Sequence, residues 1–329
     1  VDPDRSNVAY VQTPGLSLQR TTDGGLTHTG IAPDAAVGVA HFLSPFVMDP
    51  TDADHLVAAG TLVAENLAAS SSETWTTVFD LGGQSRSRAL EVRGDAIYAG
   101  WCNPCQTLIG VFPGGTVQFQ RGLATNVGGD APPERGTSSG WHQATMSGLP
   151  NRYIYDIEID DADPRTVYVV LGDYSTSRWL KVGQHEDENP NIGSGHVFVS
   201  KDAGETFTNI SGNLPDIITT AILKRGNQLI VGTDIGVFIS NDLNGSEWAP
   251  LGNLPSVPVN QLVTLPGDDN FLFAGTYGRG VQLYSFDGKA LNAKATPAKE
   301  GRGLLVGAWS LFGALPLMLG AALRRRVAR

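Results

Sequence analysis

The octapeptide Ser200-Lys201-Asp202-Ala203-Gly204-Glu205-Thr206-Phe207 decides how this chain is read. An Asp and a Gly at fixed offsets suit a tight hairpin. The carboxylate accepts bonds from turn N–H groups, Gly supplies a left-handed position, and the aromatic packs under the turn. The pattern recurs. Thr21-Thr22-Asp23-Gly24-Gly25-Leu26-Thr27-His28 is a second copy, with His in the aromatic slot. Ser240-Asn241-Asp242-Leu243-Asn244-Gly245-Ser246-Glu247-Trp248 is a third, one residue longer and lacking the Thr.

Other markers keep step with these turns. Segments beginning at Val1-Asp2-Pro3, Met48-Asp49-Pro50, Leu90-Glu91-Val92-Arg93, Ile157-Glu158-Ile159-Asp160, Ala221-Ile222-Leu223-Lys224 and Leu262-Val263-Thr264-Leu265 each lead into an apolar or β-branched run, such as Ala96 to Gly100 or Phe271 to Gly275. Runs of this kind bounded by Gly, Pro and Asp read as strands. Leu-Pro precedes three of them, at Leu149-Pro150, Leu214-Pro215 and Leu254-Pro255. Successive starts lie roughly 40 to 67 residues apart, against ~40–50 for one four-stranded blade. The expected fold is therefore an all-β propeller over residues 1–290, with six or seven blades, since strands from both chain ends can close one blade. Two long insertions, about 114–148 and 173–195, are candidates for functional loops.

The net charge of −10 and the lack of a basic stripe argue against nucleic acid as a partner. No cofactor or metal is expected. Calcium in the oxygen-rich loops stays open, although no spacing matches a defined calcium loop. Residues 303–323 carry no charge, are long enough for a ~30 Å hydrocarbon core, and run into Arg324-Arg325-Arg326. They read as a transmembrane helix after a polar tether, 291–302, with 324–329 as a basic cytoplasmic tail. That places the propeller at the cell surface or on the periplasmic side, with its N-terminus outside. No leader opens the chain at Val1, so export is expected to rest on a segment outside this sequence.

Trp101-Cys102-Asn103-Pro104-Cys105 has a thioredoxin-like Cys-x-x-Cys spacing. It follows a propeller strand rather than opening a helix, so a structural Cys102–Cys105 disulfide is the preferred reading over redox chemistry.

The turns at Thr21 to His28 and Ser200 to Phe207, with Gly275-Thr276-Tyr277-Gly278-Arg279-Gly280-Val281, resemble the Asp-box (BNR-repeat) propellers, a superfamily that includes sialidases, xyloglucanase-type hydrolases and sortilin-type receptors. The chain looks most similar to bacterial glycosyl-hydrolase-like BNR-repeat proteins. The resemblance implies that Asp23, Asp202 and Asp242 are structural and sit away from the central cleft. It also raises glycoside hydrolysis. The sialidase set of Arg, Tyr and Glu cannot be mapped here. An inverting hydrolase needs two carboxylates about 6.5–9.5 Å apart, for which Asp156, Glu158 and Asp216 are the candidates. The alternative is binding without reaction. Trp101, Trp141, His142, Arg152 and Trp179 are then the ligand-binding candidates, and a polysaccharide or a protein at the cell surface is the partner. A structural or assembly scaffold is the third reading.

Overall fold

The computed structural model describes residues 1–33, 44–83, 85–103, 119–175, 179–181, 184–185, 193–265 and 267–289. The Pro and Gly content that breaks helices leaves only strands and turns among them. Six successive antiparallel sheets form a six-bladed propeller. The first holds β1 (Ala9–Thr13), β2 (Ser17–Thr21) and β3 (Thr29–Gly30). The second holds β4 (Phe46–Asp49), β5 (Asp52–Ala59), β6 (Leu62–Asn66) and β7 (Thr76–Asp80). The third holds β8 (Arg86–Arg93), β9 (Ala96–Asn103), β10 (Gln120–Thr125) and β11 (His142–Gln143). In the fourth, β12 (Ile154–Ile159) and β13 (Val167–Leu171) are joined by β16 (Val197–Ser200) and β17 (Thr208–Asn209), while β14 (Trp179–Lys181) and β15 (Gln184–His185) make a separate hairpin. The fifth is β18 (Thr219–Arg225), β19 (Gln228–Thr233), β20 (Gly236–Ser240) and β21 (Ala249–Pro250), and the sixth is β22 (Val259–Leu265), β23 (Asp268–Thr276) and β24 (Gly280–Ser285).

Each sheet is apolar on both faces because it is sandwiched between neighbours. Leu90, Val92, Ile97 and Ala99 pack with Val57, Val63 and Val78 between the second and third sheets. Ile157, Val169 and Phe198 pack with Ala89, Tyr98 and Leu123 between the third and fourth. The first strand of each of the last five sheets, β4, β8, β12, β18 and β22, lies innermost and meets its counterpart in the next sheet.

The predicted Asp turns close as expected. Asp202 accepts the Thr206 N–H at 2.9 Å and the Thr206 hydroxyl at 2.6 Å, while the Ser200 hydroxyl donates to it at 2.7 Å. Asp23 does the same with Thr27 and Thr21. Ala203 and Gly204, like Gly24 and Gly25, take left-handed φ values, the conformation this turn requires. The third copy is less degenerate than its sequence suggests. The Ser246 hydroxyl takes the missing Thr's place and donates to Asp242.

Among the described residues no helix is long and apolar enough to cross a membrane. The stretch 303–323, the tether 291–302 and Cys105 lie outside the described residues.

Candidate functional site

Four of the inner strands carry a β-bulge at the same point. The register slips between Ser87 and Ala89 on β8, Ile154 and Asp156 on β12, Thr219 and Ala221 on β18, and Val259 and Gln261 on β22. A bulge re-aims one side chain out of the regular alternation. The four extra residues, Arg88, Tyr155, Thr220 and Asn260, all line a central channel of about 930 Å³. The Arg88 guanidinium lies 4.7 Å from the centre of the Tyr155 ring, a cation–π contact that fixes both side chains. Tyr277, from the turn between β23 and β24, borders the same channel.

Deeper in the channel stand three carboxyl groups, Glu91, Asp156 and Glu158, with Arg93 and Lys224. Asp156 accepts the backbone N–H of Ile222, on the next inner strand, at 2.9 Å and that of Ile157 at 3.0 Å. Glu158 takes the N–H of Lys224 in the same way. An inner strand exposes unpaired N–H groups along its channel edge, and these two side chains of β12 satisfy two of them on β18. The same carboxyls are half-buried, and desolvation dominates their ionisation. It pushes Asp156 up to about 7 against the pull of its two N–H bonds. Glu158 is raised by desolvation, opposed by the Lys224 N–H and reinforced by the Asp156 charge. Glu91 is raised by desolvation and by its neighbours Glu158 and Asp156. The channel thus favours the protonated form of these carboxyls more than water does.

The structure thus brings Asp156 and Glu158 together and sets Asp216 elsewhere. Asp216 precedes β18 and accepts the Ser175 N–H at 2.9 Å, the Ser175 hydroxyl at 3.0 Å and Nε2 of His196 at 2.8 Å. The hydroxyl bonds the carboxylate and not the imidazole, so this Ser–Asp–His group lacks the order that activates a nucleophile. Its role is to tie the segment after β13 to the approach to β18.

The aromatic candidates fall mostly outside the channel. The Trp141 ring stacks on Phe79 at 5.1 Å between the second and third sheets, which makes it core. His142 is on the outer strand β11, with Nδ1 against the Gly140 carbonyl and Nε2 3.6 Å from Glu205. Trp101, on β9, donates its indole N–H to Gln143. Arg152 is wholly buried, with a guanidinium N–H on the Asp173 carbonyl. Trp179 belongs to β14 of the separate hairpin. Sequence reasoning missed Arg88, Glu91, Arg93 and Asn260. Glu91 was within reach, because it holds the same position in its repeat as Glu158. Each pairs with a Tyr of the neighbouring strand, Tyr98 and Tyr168.

No protein-family model matches the chain, and no curated protein does. Solved structures do resemble it. One is YCF48 bound to D1 peptide, at 11% identity and a TM-score of 0.51, matching 87% of this chain and 76% of that one. Another is an ancestral GH74 enzyme, at 13% identity and a TM-score of 0.52, matching 89% of this chain and 37% of that one. The chain spans little over a third of that enzyme's length. At these identities the likeness is one of fold, a β-propeller.

Proposed function

We propose that this propeller is a binding module whose ligand is an extended polymer, a polysaccharide or a polypeptide, laid across the channel at the bulged residues. The observation that carries this reading is the recurrence of the bulge on four inner strands. It delivers an aromatic ring, a guanidinium, a hydroxyl and an amide to one opening. That mix stacks on and hydrogen-bonds to a neutral polymer. The Asp156 and Glu158 carboxyls already serve backbone N–H groups, which favours binding over turnover. The neighbouring folds agree in kind: one was solved with a peptide, the other is an enzyme of a glycoside hydrolase family.

A second reading, glycoside hydrolysis, is favoured by one observation. Carboxyls raised toward neutrality in a channel suit a general acid. The turns at Asp23, Asp202 and Asp242 support placing the chain with the Asp-box propellers. The apolar run 303–323 with its Arg tail supports display on a membrane, and membrane fractionation of the expressed full chain tests that part.

The deciding experiment applies the full chain to glycan and peptide arrays and follows any hit with product analysis. Binding that falls at least tenfold in Tyr155→Ala and Asn260→Ala supports the channel reading. Release of shortened sugars, lost in Glu158→Gln, moves the conclusion to the hydrolase. Binding indifferent to all three changes overturns both.

A further inference from the structure

Four seams between successive sheets are plugged by an aromatic from the outer turn of the following sheet. Trp75 closes the first seam and donates its indole N–H to the Ile31 carbonyl at 2.7 Å. Trp141 closes the second, stacked on Phe79. Phe207 closes the third, packed with Ala144 and Leu149. Trp248 closes the fourth, packed with Ile210 and Leu214, its indole on the Ile210 carbonyl at 3.1 Å. At the fifth seam the corresponding place is a cavity of about 250 Å³ lined by Val237, Leu251, Leu254, Pro255, Leu272 and Tyr284. Leu251 and Leu254 occupy the positions that Ile210 and Leu214 hold one seam earlier. A cavity of roughly 150 Å³ in a protein interior holds a benzene ring, so this one has room for a Phe or Trp side chain.

The same place has a strand edge with no partner among the described residues. In five sheets the outer strand ends in an apolar residue whose N–H bonds a carbonyl on or next to the strand it pairs with: Ile31 to Leu18, Leu81 to Thr61, Ala144 to Leu123, Ile210 to Val197 and Leu251 to Val237. Val281 of β24 is the counterpart of Val237, since each pairs with the matching Gly of the strand before it, Gly275 and Gly232. No outer strand pairs with β24 among the described residues. Leu283, at the middle of that strand, is 47% exposed.

The molecule also shows what fits. Four outer strands share one spacing, an aromatic three residues before an aliphatic: His28 and Ile31, Trp141 and Ala144, Phe207 and Ile210, Trp248 and Leu251. The sequence after β24 carries no aromatic at the spacing of the three Asp turns. In the three Asp turns it stands five or six residues after the Asp. Asp287 starts a similar turn, with the Ser285 hydroxyl donating to it at 3.0 Å, but the positions five and six further on are Asn292 and Ala293.

We propose that the seam between the fifth and sixth sheets is a docking site for an extended peptide of another protein. It adds as the outer strand of β24 and inserts an aromatic side chain into the cavity, three residues ahead of an aliphatic one. Strand addition supplies main-chain hydrogen bonds and the cavity supplies selectivity. Asn253 completes the site. Its counterpart Asn213 accepts the Trp248 N–H at 2.6 Å and donates to the Trp248 carbonyl at 3.1 Å, clamping the aromatic residue's backbone.

The test is fluorescence anisotropy of a labelled peptide of sequence SEWAPL, with short flexible flanks, titrated with the full 329-residue chain. Saturable binding is expected. It should weaken by roughly tenfold or more when the peptide Trp becomes Ala, and by a similar factor in Leu254→Trp, which places an indole in the cavity. Asn253→Ala, at an exposed position, should give a partial loss without threatening the fold. A flat titration up to millimolar protein, or equal affinity for the Trp and Ala peptides, overturns the proposal.

Discussion

Trp248 donates its indole N–H to the backbone carbonyl of Ile210, across the seam between the fourth and fifth sheets. The ring is 3% exposed, and the bond satisfies a carbonyl that ends an outer strand. Removing the ring should cost about 3–5 kcal/mol. Trp248→Phe keeps much of the packing but leaves the Ile210 carbonyl without its donor, a loss of about 1–3 kcal/mol. Chemical denaturation of both variants checks the order, and a Trp248→Phe midpoint equal to that of the wild type would show that the hydrogen bond contributes nothing.

Gly245 makes that seam possible. Its φ is +58°, and a Cβ built there would lie 1.9 Å from the same Ile210 carbonyl oxygen. Gly245→Ala must therefore push the hairpin away from the preceding sheet. We expect a larger loss than the ~1 kcal/mol of an ordinary Gly-to-Ala change at a left-handed position. Gly226 also has positive φ, at +55°, but nothing lies within 4 Å of its added Cβ. Gly226→Ala is the control: thermal melts should show the lower midpoint for Gly245→Ala.

Much of this fold was legible because the repeat writes itself in turn chemistry. Asp23 and Asp202 announce hairpins through residues that few other structures require in that order, and the Leu-Pro markers fix the phase. The site was less legible for a physical reason. A bulge shifts register by one residue without any special residue type, and here it falls on an Arg, a Tyr, a Thr and an Asn. Asp156 and Glu158 stood out as acids on an inner strand, whereas Asp216 looked equivalent in sequence and is spent on Ser175 and His196. Trp141 fills the aromatic slot of its turn against Phe79, a place that the long insertion before it hid in the sequence.

Asp156 bonds across sheets, and the consequence is measurable. Asp156→Ala leaves the Ile222 N–H unpaired at the channel wall and should cost about 1–3 kcal/mol. Asp156→Asn retains an acceptor and should cost less. If the carboxyl instead serves turnover alone, both variants should keep wild-type stability in urea melts while losing activity.

The second sheet holds a buried charge cluster that governs the pH response. His55 places Nδ1 3.2 Å from Asp49 and Nε2 2.8 Å from Glu65, all three side chains at 0% exposure. Arg135 also bonds Asp49, at 3.0 Å, and reaches Asp52 and Asp95. Burial alone would depress the imidazole, but bonds to Asp49 and Glu65 outweigh it and hold His55 above its ordinary value. Such a group stabilises the fold fully below its unfolded pKa, ~6.5, and loses that contribution as pH rises through the raised folded value. Asp156 acts in the same direction. Raised to about 7, it contributes fully below ~3.9 and loses its effect as pH climbs through 7. Asp49 runs the other way. Desolvation opposes its ionisation, but bonds from His55, Thr51 and Gly94 hold it at about 2. Its contribution is present above ~3.9 and is lost as pH falls through 2. Stability should therefore peak in the weakly acid range and decline toward alkaline pH. His55→Gln should be strongly destabilised at pH 5, by about 3–5 kcal/mol, because buried Glu65 loses the cation it faces and Asp49 keeps only Arg135. The decline above pH 6.5 should be shallower in the variant than in the wild type, a comparison that melting temperatures from pH 3 to 9 resolve directly. A wild-type curve that rises above pH 7 would show that His55 is neutral in the fold.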